Sequence, residues 1–202
     1  MEDQAKQIDS RIRSCLCAMK NVQSELLIGD KLDMIKTLDS ILNQLNQIRD
    51  IEKICLSGTC FESVRSKIKC ELSAKISGEI SNLICSLQRY LNDLEFKFRH
   101  LQHTYATLCL FTQNMYEEGS LNDENLKSNP VNRSNLADFL SLFDDLILTI
   151  QESISLKRSL LTYDSTSTNK MIENYEQCRK IWKNRHRFMH KFNVMYSKFV
   201  DY

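Results

Sequence analysis

Apolar residues recur along most of this chain at alternating steps of four and three. In Ser134–Leu161 the positions Leu136, Leu140, Phe143, Ile147, Ile150 and Ile154 are spaced four, three, four, three and four apart. Such spacing lines one face of a helix, whereas a strand would alternate every second residue. Ser134 or Asn135 can cap its start, because a short side-chain oxygen there accepts from an orphan backbone N–H. Asp138 falls in the first turn, and Lys157 and Arg158 fall in the last turns, matching the signs the helix dipole favours at each end. Pattern, cap and dipole agree over roughly 40 Å at 1.5 Å per residue, predicting a central helix over 134–162.

The same arithmetic organises the rest. Residues 3–27 carry Ile8, Ile12, Cys15, Met19, Val22 and Leu26, a coiled-coil-like seam. Ile28-Gly29-Asp30 reads as a turn, with Gly29 as a left-handed C-cap and Asp30 as the next N-cap. Residues 31–53 continue with Ile35, Leu38, Leu42, Leu45 and Ile48, so an antiparallel helical hairpin is expected over 3–53. Cys55-Leu-Ser-Gly-Thr-Cys60 ends the pair. A long helix follows over 61–116, with Phe61, Val64, Ile68 and Leu72, then Ile80, Leu83, Leu87, Leu91, Leu94, Phe98 and Leu101. Ser77-Gly78 is its weak point, since Gly costs ~1 kcal/mol relative to Ala in a helix interior.

Residues 117–133 are polar and acidic, contain Pro130 and read as a loop. Asp164–Asn169 makes a second loop, and a C-terminal basic helix is expected over 170–199 with Ile172, Tyr175, Cys178, Trp182, Met189, Phe192, Met195 and Phe199 on its apolar side. The expected fold is a single all-α domain, an elongated bundle of about five long helices with coiled-coil-like seams.

Composition agrees. The 202 residues are 42% apolar and 26% charged, ordinary for a chain that buries a core and too apolar for a disordered one. Four Gly and one Pro leave room for long helices and argue against a many-turned β sandwich. A net charge of +1 gives no global pull towards nucleic acid or membrane. The N-terminal stretch does not resemble a signal peptide and no apolar run approaches the ~20 residues that span a bilayer, so cytoplasm and nucleus are the expected locations. Thiols stay reduced there, and the eight Cys, none in a CxxC pair, fall mostly beside Leu or Ile as small hydrophobes do.

Candidate chemistry is sparse. His186 and His190 lie one helical turn apart with Cys178 two turns earlier, but zinc needs four converging ligands and no Glu follows His186. His100 and His103 also stand without partners, so no metal and no cofactor is expected. Asp144-Asp145 and Glu117-Glu118 are adjacent carboxylates that diverge by about 100° on a helix, unlike an acid/base pair sharing a cleft. No phosphate-cradling Gly loop or nucleophile elbow is present, and an enzyme is not expected.

From Arg179 to Lys198 there are seven Lys/Arg and no acid, interleaved with Trp182, Phe188, Phe192 and Tyr196. Bases can pair with phosphates and aromatics can stack on nucleobases, so direct RNA contact through 179–198 is one reading. The plainer reading is a helix with an aromatic inner face and a basic outer one, since the aromatics keep helical spacing.

Ser134-x-x-Ala137-Asp138-Phe-Leu140, Asp145-Leu-Ile and Leu156-Lys157-Arg158-Ser-Leu160-Leu161 resemble the AIRIM family, ribosome maturation factors that interact with an Afg-type AAA ATPase. Phe61, Val64, Ile68 and Leu83 fall at that family's apolar spacing. Val22-Gln23-Ser24 and Leu42-x-x-Leu45 fit its first helices more loosely, and the likeness covers about residues 20–182. The sister family of cyclin-dependent-kinase-interacting proteins shares a similar Leu-Lys-Arg helix, while Ala137-Asp138 and the upstream register fit AIRIM better. The basic tail after Trp182 and the lengths of the two loops depart from the family.

The resemblance implies a non-catalytic adaptor subunit that pairs with the kinase-interacting sister and sits with AAA ATPase subunits acting on precursors of the large ribosomal subunit. On this reading the central helix docks. Asp138, Asp145, Lys157 and Arg158 set register, Leu140 and Phe143 give affinity, and Trp182 lies at the far end of the matching region. The same apolar stripe serves equally as internal core. A coiled-coil scaffold subunit of a cytoskeletal or kinetochore assembly, or an RNA chaperone acting through the basic tail, would use the same heptads or charges.

Overall fold

The apolar periodicity is realised as helix in every described segment. The structure, a computed structural model, describes residues 2–31, 33–54, 62–119, 133–161, 167–183 and 190–194. Among the described residues these helices run in order: α1 Glu2–Lys31, α2 Asp33–Lys53, α3 Glu62–Glu117, α4 Arg133–Leu161 and α5 Thr168–Lys183. Residues 190–194 are also helical. Among the described residues there is no strand, and the fold is all-α.

The chain divides into two compact units, each assembled from separated stretches: 1–27, 93–154 and 185–202 in the first, 28–92 and 155–184 in the second. Helices α3 and α4 contribute to both, because a helix longer than one core can bury different faces along its length.

In the first unit the entire α1 seam, Ile8, Ile12, Cys15, Met19, Val22 and Leu26, is buried. It packs with Leu94, Phe98, Leu101, Tyr105 and Leu108 of α3 and with Phe139, Phe143, Leu146 and Ile150 of α4. Two contacts set the α1–α3 register. Arg11 lies 4.4 Å over the Phe111 ring, and Lys97 pairs with Glu25. Residue numbers rise on one helix as they fall on the other by the same interval, so α1 and α3 run antiparallel.

In the second unit α2 packs on α5. Leu38, Ile41, Leu42 and Leu45 meet a core that includes Ile172, Tyr175, Cys178 and Trp182, together with Ile80, Leu87 and Leu91 of α3. Thr168 Oγ1 donates to Glu52 Oε1 at 2.9 Å, while Arg179 Nε lies 2.5 Å from Asp39 Oδ1. Those two contacts make α2 and α5 antiparallel. The Arg179 Nε–H is not aimed at the carboxylate and makes no hydrogen bond, so this contact is an ion pair by distance alone.

One local expectation changes. The turn at Ile28-Gly29-Asp30 is absent, and α1 runs on through Gly29 to Lys31. One Gly costs a helix only about 1 kcal/mol, less than is needed to break it. Helix α2 packs on α5 within the second unit, and α1 residues up to 27 belong to the first. The C-terminal helix expected over 170–199 is described as 168–183 and 190–194, and the remainder lies outside the described residues. Helix α3 passes Ser77-Gly78 unbroken, with Ile76 and Ile80 buried on either side of it.

Candidate partner-binding surface

The apolar face of α4 is core. Leu136, Phe139, Phe143, Leu146, Ile150 and Ile154 are buried, while Leu140 and Ile147 are only half-buried. The buried line therefore lies slightly to one side of the expected stripe, passing through Phe139 and Leu146. Phe143 stacks on Tyr105 with ring centroids 4.7 Å apart, and Phe139 lies 5.2 Å from Phe143. The Tyr105 hydroxyl donates to the Leu140 carbonyl at 2.9 Å. Burial, with Cys109 and Asp144 beside the hydroxyl, raises the Tyr105 pKa, so the phenol stays a donor at neutral pH.

Phe143, expected to offer affinity to a partner, has no surface to offer. An aromatic ring on a four-three stripe finds its best partner in its own core. Asp138 and Asp145 are exposed. Asp145 faces Lys191, whose ammonium lies 3.5 Å from its carboxylate and donates to Thr149 Oγ1 at 3.2 Å.

The other three site residues belong to the second unit. Lys157 is a buried lysine, its ammonium 4.9 Å from the Trp182 ring centre, and Trp182 is itself buried. Both are core groups of this chain, because the lysine stem packs as an apolar rod and its ammonium lies over the π face. Arg158 is half-buried and donates to Asn92 Oδ1 at 2.7 Å, tying α4 to α3. The seven expected partner residues thus divide between the two units, and only Asp138 and Asp145 are exposed.

Leu148 and Leu156 stand outside the stripe. They are 58% and 46% exposed, the large apolar residues α4 leaves in water. Their sequence signal was present, since neither fits the four-three line, but an isolated off-stripe Leu is common on any surface. The expected caps at Ser134 and Asn135 lie outside the described side chains.

The described part of the basic tract lines an open groove of about 630 Å³ between α2 and α5, where Arg179, Lys180 and Lys183 face Asp39, Asn43 and Asn46. Trp182 and Phe192 are buried, so neither ring is placed to stack on a base. Phe188, Tyr196, His186 and the sequence beyond 194 lie outside the described residues. His100, His103 and His190 are exposed, and among the described residues no three His, Cys, Asp or Glu gather as metal ligands.

Cys15, Cys17, Cys70, Cys85, Cys109 and Cys178 are free thiols. Burial pushes the Cys15 and Cys178 pKa values up to about 12, which keeps both protonated and unreactive as packing groups at neutral pH. No helix among the described residues is long and apolar enough to cross a membrane. No known protein family, curated protein or solved structure matches this chain.

Proposed function

We propose that the chain is a non-catalytic adaptor subunit of an AAA ATPase complex acting in cytoplasmic maturation of the large ribosomal subunit, paired with a cyclin-dependent-kinase-interacting sister subunit. The observation that carries this reading is the AIRIM-like pattern of Ser134–Leu161. The exposed side of α4 within the first unit supports it with a changed set of residues. The docking face is the outward one, with Leu148, Asp138 and Asp145, and Phe143 supports it from beneath. An amphipathic helix that keeps apolar residues exposed beside charges suits protein–protein contact, where apolar anchors give affinity and charges give register.

A tagged full chain recovered from native extract tests the reading, compared with a Leu148→Asp variant whose circular dichroism and thermal melt match the wild type. AAA ATPase subunits and large-subunit precursor proteins should come with the wild type and be lost from the variant. Cytoskeletal or kinetochore proteins without an ATPase would overturn it in favour of a coiled-coil scaffold subunit. The 56-residue α3 is the feature that favours that second reading.

A further inference from the structure

Beside the apolar faces that join them, α2 and α5 each carry a polar side. Asp39, Asn43 and Asn46 recur at helical intervals on α2, as Glu176, Lys180 and Lys183 do on α5. With Arg179, these side chains line the open groove of about 630 Å³, and Leu42 lines it between them. A space of that size takes a small molecule.

The antiparallel register orders the groups along the groove. Thr168 meets Glu52 and Arg179 meets Asp39, which brings Asn43 level with Glu176 and puts Asn46 about a turn beyond it. Arg179 and Lys180 lie a turn the other way, beside Asp39, and Lys183 a turn further still. One end therefore carries a carboxylate and two amides. The other carries three cations against one carboxylate, and that carboxylate is paired with Arg179. Glu176 and Lys183 are about 10 Å apart along α5 at 1.5 Å per residue.

Most of these groups are unspent. Among the described residues the side chains of Asn43, Glu176, Lys180 and Lys183 make no hydrogen bond or ion pair. Asn46 donates its Nδ2 to the Leu42 carbonyl at 2.9 Å, leaving its Oδ1 as an acceptor towards the groove.

The two ends suit different parts of one ligand. Lysine and arginine bind phosphate oxygens through charge-assisted hydrogen bonds. A carboxylate and amide oxygens accept from hydroxyls. A bare anion would leave the acceptor end idle, and a nucleic-acid strand, with a phosphate at every nucleotide, would bring negative charge against Glu176.

We propose that the α2–α5 groove binds a small phosphate ester of a polyhydroxylated molecule. Its phosphate sits among Arg179, Lys180 and Lys183, and its hydroxyls donate to Glu176, Asn43 and the Asn46 Oδ1. Asp39 is a positioning residue that holds Arg179. A sugar phosphate and the ribose phosphate of a nucleotide share this chemistry. The proposal is independent of the adaptor reading and of any complex the chain serves.

Isothermal titration of the full chain with glucose 6-phosphate and with adenosine 5′-monophosphate tests it, beside glucose and inorganic phosphate as the separate halves. At least one ester should bind about tenfold or more tightly than either half, and added salt should weaken it. The tighter ester identifies the body that carries the hydroxyls. Lys180→Gln with Lys183→Gln should weaken that ester at least about tenfold. Glu176→Gln with Asn43→Ala should remove most of its advantage over inorganic phosphate. All four side chains are exposed, so both variants should melt with the wild type. No ester binding up to about 10 mM, or esters no tighter than inorganic phosphate, overturns the proposal. Binding that the lysine pair leaves unchanged, or a preference that the Glu176 and Asn43 pair leaves unchanged, overturns it as well.

Discussion

The ammonium of Lys157 stands 4.9 Å from the centre of the Trp182 ring, with the lysine 4% and the tryptophan 1% exposed. A cation desolvated against a π face gains about 2 kcal/mol or more, whereas a carboxylate there would meet the negative face of the ring. Lys157→Met keeps the stem and should cost about 1–2 kcal/mol in urea unfolding. Lys157→Glu should cost about 3–5 kcal/mol, as a buried charge without its partner does. Trp182→Ala should cost about 3–5 kcal/mol. Trp182→Phe should cost less, because the indole N–H it removes has no acceptor among the described residues. Equal melting of Lys157→Met and Lys157→Glu would show that the charge does not rest on the ring.

Tyr105 and Phe143 divide one contact into a polar and an apolar part. The hydroxyl bonds the Leu140 carbonyl while the rings stack. Tyr105→Phe should therefore cost about 1 kcal/mol, the net value of one hydrogen bond. Phe143→Ala should cost about 3–5 kcal/mol through lost burial and the cavity left behind. Leu148→Asp, on the exposed side of the same helix, should fall within about 0.5 kcal/mol of the wild type. Chemical denaturation of the three variants measures that order, and a Phe143→Ala protein as stable as Leu148→Asp would remove Phe143 from the core.

Gly78 and Gly119 should respond to alanine with opposite signs. Gly78 sits inside α3, and a Cβ there would meet nothing within 4 Å. Gly78→Ala should stabilise by about 0.5–1 kcal/mol through helix propensity and a less flexible unfolded chain. Gly119 ends α3 at φ 67°, where its N–H donates to the Tyr116 carbonyl at 3.1 Å. Space is open there too, but an L side chain in that left-handed conformation is strained, so Gly119→Ala should destabilise by about 1 kcal/mol. Thermal melts of the two variants should move in opposite directions.

Helix type and much of the core were legible because burial follows a four-three rule that sequence displays directly. All six α1 seam residues are buried, as are Leu87, Leu91, Leu94, Phe98 and Leu101 of α3. Val64, Ile68 and Leu72 also line one helix face and are exposed, because burial depends on whether another helix reaches that face, which spacing does not display. Lys157 shows the converse. Its charge marks it as surface, yet it is buried with its ammonium over the ring of Trp182, 25 residues away in sequence. For Phe143, periodicity could not separate docking from core, since both require the same stripe.

Burial of Cys178 and Cys15 predicts that stability falls at alkaline pH. Each thiol has its pKa pushed from an ordinary 9.0 to about 12 by desolvation, and for Cys15 by the neighbouring Cys109 as well. Burial, with Cys178 nearby, also lifts Tyr175 from 10.0 to about 12. The unfolded chain releases these protons first, so between about pH 9 and 12 it binds fewer protons than the folded chain. The linkage slope is then negative. The full stability is present below the unfolded pKa values and is lost as pH rises towards the folded ones. Each thiol contributes at most about 1.4 kcal/mol per pH unit across that window. Urea melts at pH 7, 9 and 10.5 should show flat stability up to about pH 8.5 and a decline above it. Cys178→Ala should be less stable at pH 7 through its smaller volume and should decline less steeply. An unchanged alkaline slope in that variant would mean that Cys178 titrates alike in the folded and unfolded chains.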